Sequence, residues 1–282
     1  MMVLPRLVTS LVAAPLFLWA LYLGSLPFVV FVSVLVLLAL WEFHRMAEIG
    51  GYATQSWWGI AGGMMLLLAL CFPGLRADLP FQNQAPALTL MVVVAAYTLR
   101  ELARRDKSLS MLRLSMSLLG TFFVVWPLAH LVLLRELRHE PLYTVGRDAA
   151  FYLVFLIWVQ DITAWAVGLS VGKRRLAVQI SPKKSWEGAA AGLAAAVLLS
   201  LFLREVWLKT IFSRTEIVAL SAALGILAQV SDLAESLMKR CFGVKDSSDL
   251  LPGHGGILDR FDSFLLAAPF LYYYLVLTGR VG

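Results

Sequence analysis

Apolar runs long enough to cross a bilayer recur along the whole chain, and they leave few folds open. A spanning helix needs about 20 apolar residues at about 1.5 Å rise each. Candidates fall near 7–23, 27–46, 57–73, 86–103, 114–134, 148–170, 187–208, 215–238 and 258–278, nine in all. Backbone inside lipid must satisfy its own hydrogen bonds, and these runs are too long and too uninterrupted for the alternating strands of a barrel. The expectation is an all-α, polytopic membrane protein of about nine transmembrane helices. Composition agrees: 60% of the 282 residues are hydrophobic and only 15% charged, against about a quarter charged in soluble domains. The third run is short and contains glycine, and the seventh is rich in Ala and Gly, which suits close helix packing. The first run follows Arg6 and superficially resembles a signal peptide. Its apolar core is long for one and no small-x-small cleavage site follows, so it reads as a retained span. One integral membrane domain is expected over 1–282, with spans 1–135 as scaffold and 148–282 as the catalytic half.

The net charge of +6 is distributed as a membrane protein would distribute it. With nine spans and a cytoplasmic N-terminus, 16 of the 24 Lys and Arg fall on the cytoplasmic side. They include Arg100, Arg104, Arg105, Lys107 and Arg113 after the fourth run and Lys173 to Lys184 after the sixth. Arg135, Arg138 and Arg147 run against this bias. No RNA- or DNA-binding pattern accompanies the charge, so no nucleic-acid partner is expected. Cys71 and Cys241 belong to no CxxC or Cys/His cluster and read as two free thiols.

The polar stretch SDLAESLMKRCFGVKDSSDLLPGHGGILDRFD, residues 231–262, carries the chemistry. Asp232, Glu235, Ser236 and Lys239 sit at i, i+3, i+4 and i+7, one face of a helix. Carboxylates in a membrane helix are expensive and usually functional. A helix end dipping into water, with acids paired to Lys239 and Arg240, would account for a lone pair. It does not account for the polar pattern continuing through Lys245, Asp246 and Pro252–Gly256. A Gly-rich turn into a helix start presents N–H groups suited to phosphate, here beside Lys239, Arg240, Lys245 and His254. Asp259 and Asp262 follow at i, i+3 around Arg260. Carboxylates from consecutive helices could share a divalent cation, and Mg²⁺ usually takes one or two of them plus substrate phosphates. Asp161, inside the apolar run FYLVFLIWVQDITAW, needs a partner, a metal or a proton relay. In SPKKSWEG, residues 181–188, Pro182 suits a turn or a first helical position. Lys183 and Lys184 there suit either phosphate or lipid headgroups. The inventory fits Mg²⁺-assisted chemistry on a phosphate-bearing substrate with one partner in the membrane, without naming the reaction.

Residues 236–262 closely resemble the signature of the phosphatidate cytidylyltransferases. The pattern runs Ser-x-apolar-Lys-Arg, four residues, Lys-Asp-x-small, two residues, apolar-Pro/Gly-x-His-Gly-Gly-apolar-x-Asp-Arg-apolar-Asp. This chain reads SLMKR, CFGV, KDSS, DL, LPGHGGILDRFD, with no departure. SPKKSWEG and QDITAW look like family motifs, as more weakly does WEFHRM at 41–46. The resemblance implies that CTP and phosphatidic acid give CDP-diacylglycerol and pyrophosphate, with Mg²⁺ or another divalent cation. It suggests Asp232 and Asp259 as metal ligands, Asp161 and Asp246 as ligands or their near neighbours, and Lys239 on substrate phosphate. Substrate-binding roles extend to Lys183, Lys184, Ser236, Arg240, Lys245, His254, Gly255, Gly256 and Arg260. The implied setting is the inner (plasma) membrane with the site facing the cytoplasm, among membrane lipids, with a homodimer as an open option.

A transporter using Asp161 and Asp232 as ion or proton sites is the competing class, but it leaves the loop 239–256 without a role. A CTP-dependent lipid-alcohol kinase shares the nucleotide and differs in its acceptor.

Overall fold

In a computed structural model the described residues are 3–71, 84–137, 145–251, 253 and 255–279, with side chains from Leu11 onward. Helices dominate. They are α1 (Val3–Leu23), α2 (Ser25–Ile49), α3 (Ser56–Cys71), α4 (Ala85–Leu102), α5 (Ser110–Gly120), α6 (Trp126–Arg135), α7 (Val145–Val171), α8 (Trp186–Leu203), α9 (Arg214–Cys241), α10 (Leu258–Phe261) and α11 (Phe264–Leu277). One antiparallel hairpin, β1 (Arg175–Ala177) with β2 (Ser181–Ser185), precedes α8. The all-α membrane architecture expected from the apolar runs is present. Among the described residues six helices are long and apolar enough to cross a membrane, and three apolar helices are shorter.

Two breaks in the helices have local causes. Between α5 and α6 the chain widens into a π-helical turn, Thr121–Val125, immediately before Trp126 and Pro127. Proline cannot donate the helical bond expected of it, and a wider turn absorbs the loss. The ninth apolar run, expected as one helix over 258–278, is two. The Ser263 amide donates to its neighbour's side chain, Asp262 Oδ1, at 2.6 Å, and the Ser231 hydroxyl donates to the Asp262 carbonyl. Local side-chain acceptors of this kind compete with the helix and end α10 after one turn.

The chain divides into two units by internal contact. One comprises Met1–Leu133 and Lys239–Phe261, and the other Leu134–Met238 and Asp262–Gly282. The signature loop thus groups with the N-terminal helices.

In the first unit α2 buries Phe28, Val32, Val36, Ala39, Leu40 and Phe43, a stripe at helical spacing. Helix α3 lays Gly62 against Val93 and Tyr97 of α4 and Gly63 against Leu40 of α2, close enough that a Cβ would collide at either position. A buried polar knot ties α4 and α5 to the start of α3. Glu101 accepts from Gln55 Nε2 at 2.8 Å and from Arg113 Nε at 2.9 Å. Arg113, counted above among the topology-marking cations, is therefore a buried ion-pair partner.

In the second unit α7 and α8 pack along small residues. A Cβ on Gly188 or Gly192 would strike the Ala164 or Gln160 carbonyl, which is the close packing the Ala/Gly-rich run suggested. Gln160 Nε2 donates to the Gly225 carbonyl of α9 at 2.8 Å, and Tyr152 meets Ser200 at 3.1 Å. Cys71 is buried, with its thiol donating to the Ala129 carbonyl at 3.9 Å, and Cys241 is exposed; neither forms a disulfide among the described residues.

Candidate active site

Within the first unit the signature loop is built around two carboxylates. Asp259, in α10, takes four donors. Lys239 Nζ donates to its Oδ1 at 2.5 Å. The Ser247 amide (2.9 Å), the Ser247 hydroxyl (2.9 Å) and the Gly256 amide (2.8 Å) converge on Oδ2. Burial pushes the Asp259 carboxyl up, but the Lys239 ammonium and the Gly256 and Ser247 amides outweigh it and hold the group below the ordinary carboxylate range. Lys239 is itself only 8% exposed. A buried ammonium and carboxylate in contact cost less together than either would alone.

The second carboxylate is Glu42 of α2, fully buried. Its Oε1 accepts from the Ser248 hydroxyl at 2.6 Å and the Ile257 amide at 2.8 Å. Its Oε2 accepts from the Leu258 amide at 2.8 Å and from the Ser247 hydroxyl at 3.0 Å, whose single proton it shares with Asp259 Oδ2. The sequence offered the N–H groups of this turn to phosphate. In the structure those of Gly256, Ile257 and Leu258 face protein carboxylates instead.

The two glycines owe their identity to this crowding. Gly255 adopts φ +79°, and a Cβ there would also approach Asp259 Oδ2 to 2.6 Å. On Gly256 a Cβ would overlap Ser247 Oγ and Glu42 Oε1. They shape the loop by being small. Around this framework Arg240, Lys245, Asp246 and Arg260 are exposed. Arg240 also donates to the Val244 carbonyl at 3.1 Å. Pro252 and His254 lie outside the described residues.

Within the second unit a separate acidic cluster forms. Asp262 lies within electrostatic range of Asp232, Glu235 and Asp161. The Ser263 hydroxyl reaches Asp161 Oδ2 at 3.4 Å and Asp262 Oδ1 at 3.3 Å. Glu235 is fully buried in α9. Asp232 is half-buried, ion-paired with Lys184, and approached by Ser236 Oγ at 3.5 Å. Lys183 stands exposed on β2, and Pro182 lies in that strand instead of in a turn or a helix start. A two-stranded hairpin tolerates proline because its outer edge needs no donor. The hairpin is locked to α8. Ser185 caps the helix by accepting from the Gly188 amide at 3.1 Å, and the Glu187 carboxylate accepts from the Lys173 and Arg174 amides at 3.2 Å.

A divalent cation can be set against these two donor groups. Among the described residues no three acidic, His or Cys side chains close on a common point as a finished metal shell. A site that recruits one or two carboxylates and completes itself with substrate phosphate and water needs no such shell. Asp161, Asp232 and Asp262 are carboxylates of the second unit, the first two within electrostatic range of the third. Asp259, expected as a ligand, has Oδ2 filled by three donors and Oδ1 on Lys239. Those contacts tie α10 to Lys239, Ser247 and Gly256.

Sequence reasoning missed Glu42. The motif WEFHRM contains it, and a carboxylate inside a spanning run was the available signal. Its partners lie more than 200 residues downstream, so nothing local revealed its task.

Residues 4–278 match the model of the cytidylyltransferase family. The chain is 34% identical to a phosphatidate cytidylyltransferase of Bacillus subtilis over 96% of this chain and 97% of that protein. It is 32% identical to one of Brucella abortus over 95% and 92%, and 33% identical to one of Haemophilus influenzae over 78% and 65%. With nearly its whole length matched and a signature loop assembled residue by residue, the chain belongs to the cytidylyltransferase family.

Proposed function

We propose that this protein is an enzyme that transfers the cytidylyl group of CTP to phosphatidate, giving CDP-diacylglycerol and pyrophosphate. The observation that carries the reading is the signature loop, clasped by Glu42 and Asp259, in a chain whose relatives carry that enzyme's name.

A phosphatidate oxygen attacks the α-phosphorus of CTP, a new P–O bond forms, and the bond to the β-phosphate oxygen breaks with pyrophosphate leaving. A phosphate monoester is largely dianionic at neutral pH, so the nucleophile needs no strong general base. The difficulty is that two polyanions must meet, which makes charge neutralisation and positioning the main catalytic tasks. Arg240, Lys245 and Arg260 are exposed cations of the first unit suited to substrate phosphates, as is Lys183 of the second, with the half-buried Lys184 beside it. Lys239 contributes from its place against Asp259.

Asp161, Asp232 and Asp262 are the residues that would hold Mg²⁺, which would supply positive charge for the phosphate oxygens. Lys184 then plays two parts. It neutralises Asp232, and its ammonium adds positive charge beside the acidic cluster where a substrate phosphate would bind. The loop lies on the cytoplasmic side of a bacterial-type inner membrane, where CTP is found and where the basic residues concentrate. The acceptor is drawn from the surrounding lipid, and a homodimer is compatible with this arrangement.

The test is substrate choice. Purified protein with CTP and Mg²⁺ should convert phosphatidate and leave a long-chain alcohol untouched. Conversion of the alcohol and not of phosphatidate would replace this reading with a lipid kinase.

A further inference from the structure

We infer that Glu42 is a positioning residue that closes the signature loop for CTP. The inference rests on the function proposed above. Helix α2 is one of the six membrane-length helices, and Glu42 within it is fully buried. Among the described residues no Lys or Arg pairs with it; its charge is met by four dipolar donors. Each oxygen takes one hydroxyl and one backbone amide. Burying a carboxylate costs several kcal/mol unless its acceptor positions are filled, so the carboxylate and the closed loop require one another.

The donors come from both ends of the loop: Ser247 and Ser248 at its entry, Ile257 and Leu258 at its exit. One side chain therefore clasps the segment between them. That segment contains Gly256, which packs on the carboxylate itself. The exposed Lys245 and Asp246 directly precede the clasped residues.

The donor set also says which substitutions can replace it. Glutamine has one acceptor oxygen and one NH₂ group. A serine hydroxyl can rotate to accept from that NH₂, but a backbone N–H cannot. Glu42→Gln therefore leaves either Ile257 N–H or Leu258 N–H facing another donor. Glu42→Asp keeps both acceptors, one methylene short.

A loop that is closed only part of the time binds its ligand more weakly in proportion to the closed fraction. Bound CTP restores the closed form, so turnover at saturation is kept. The expected result for Glu42→Gln is a KM for CTP raised about tenfold or more, with kcat within about threefold of the parent and the KM for phosphatidate unchanged. Glu42→Asp should recover most of the loss. Ser248→Ala, which removes one donor of four, should give a smaller rise, and it carries the test if Glu42→Gln does not accumulate. Hydrogen exchange on the same proteins, without substrate, should show faster exchange at Ile257 and Leu258 and no change in α7 or α8.

A lowered kcat with unchanged KM for CTP would make Glu42 a general structural residue and overturn the inference. So would unchanged exchange at Ile257 and Leu258. If the parent protein makes no CDP-lipid, the functional reading fails, while the exchange experiment still decides whether Glu42 is the clasp.

Discussion

Replacing Asp259 by Asn changes a single atom type and separates a loop-ordering carboxylate from an incidental one. Asp259 holds one ammonium on Oδ1 and three donors on Oδ2. Asparagine keeps one acceptor oxygen. If that oxygen stays with the Ser247 and Gly256 donors, the NH₂ group faces Lys239. Removing one partner of a buried ion pair costs about 3–5 kcal/mol, eased here because Lys239 retains slight exposure and can swing toward water. If the amide turns over, the three donors meet an NH₂ group, and each unsatisfied buried group costs about 1–3 kcal/mol. Even the cheaper arrangement weakens loop closure by about 2–4 kcal/mol, and at about 1.4 kcal/mol per factor of ten this predicts a 30- to 1,000-fold fall in kcat/KM for CTP. The assay is CDP-lipid formation at varied CTP, with exchange of the Ser247 and Gly256 amides followed alongside. Lys239→Met should act on the same contact, so the double variant should cost less than the sum of the singles, by about 1–3 kcal/mol. Turnover within threefold of the parent for Asp259→Asn, or strict additivity with Lys239→Met, would refute this account of the loop.

Gly256→Ala should abolish loop protection and cut activity at least a hundredfold, because its Cβ would overlap Ser247 Oγ and Glu42 Oε1; activity assays and amide exchange on the variant check it. Asp232→Asn should raise the Mg²⁺ concentration needed for half-maximal rate about tenfold or more, while leaving exchange across 247–258 unchanged, as read from a Mg²⁺ titration. The pH dependence follows from Asp259, whose folded value lies below the ordinary one. Its stabilising contribution is fully present above the unfolded value of about 3.9 and is lost as pH falls from there through the folded value. Protection of the Ser247 and Gly256 amides, corrected for intrinsic exchange, should therefore match at pH 7 and pH 5.

What the sequence made legible is what it stores locally. Spanning length and the absence of strand alternation lead directly to an all-α membrane protein, and the contiguous signature leads to its enzyme family and marks Asp232, Lys239 and Asp259 as candidates. Partnerships across the chain are not stored that way. The Gly-rich turn at 252–256 and the helix start that follows it looked like a phosphate cradle because glycines and free amides are visible in sequence. The carboxylate that takes two of those amides sits in another helix. Asp259 read as a metal ligand because it is acidic and near a helix start; its donors Ser247 and Gly256 became visible only once the loop folded back. Arg113 looked like a topology marker and is a buried partner of Glu101. The break at Asp262 depends on a Ser231 hydroxyl from a different helix, which no reading of hydropathy along one run could supply.

The fate of the CTP phosphates tests the central claim most directly. Purified protein in phosphatidate-containing vesicles is given CTP labelled at the α-phosphate in one reaction and at the γ-phosphate in another. Cytidylyl transfer predicts that the α label enters the lipid and the γ label leaves in pyrophosphate, in equal amounts. Lipid carrying the γ label, or no labelled lipid with Mg²⁺ present, would contradict the account.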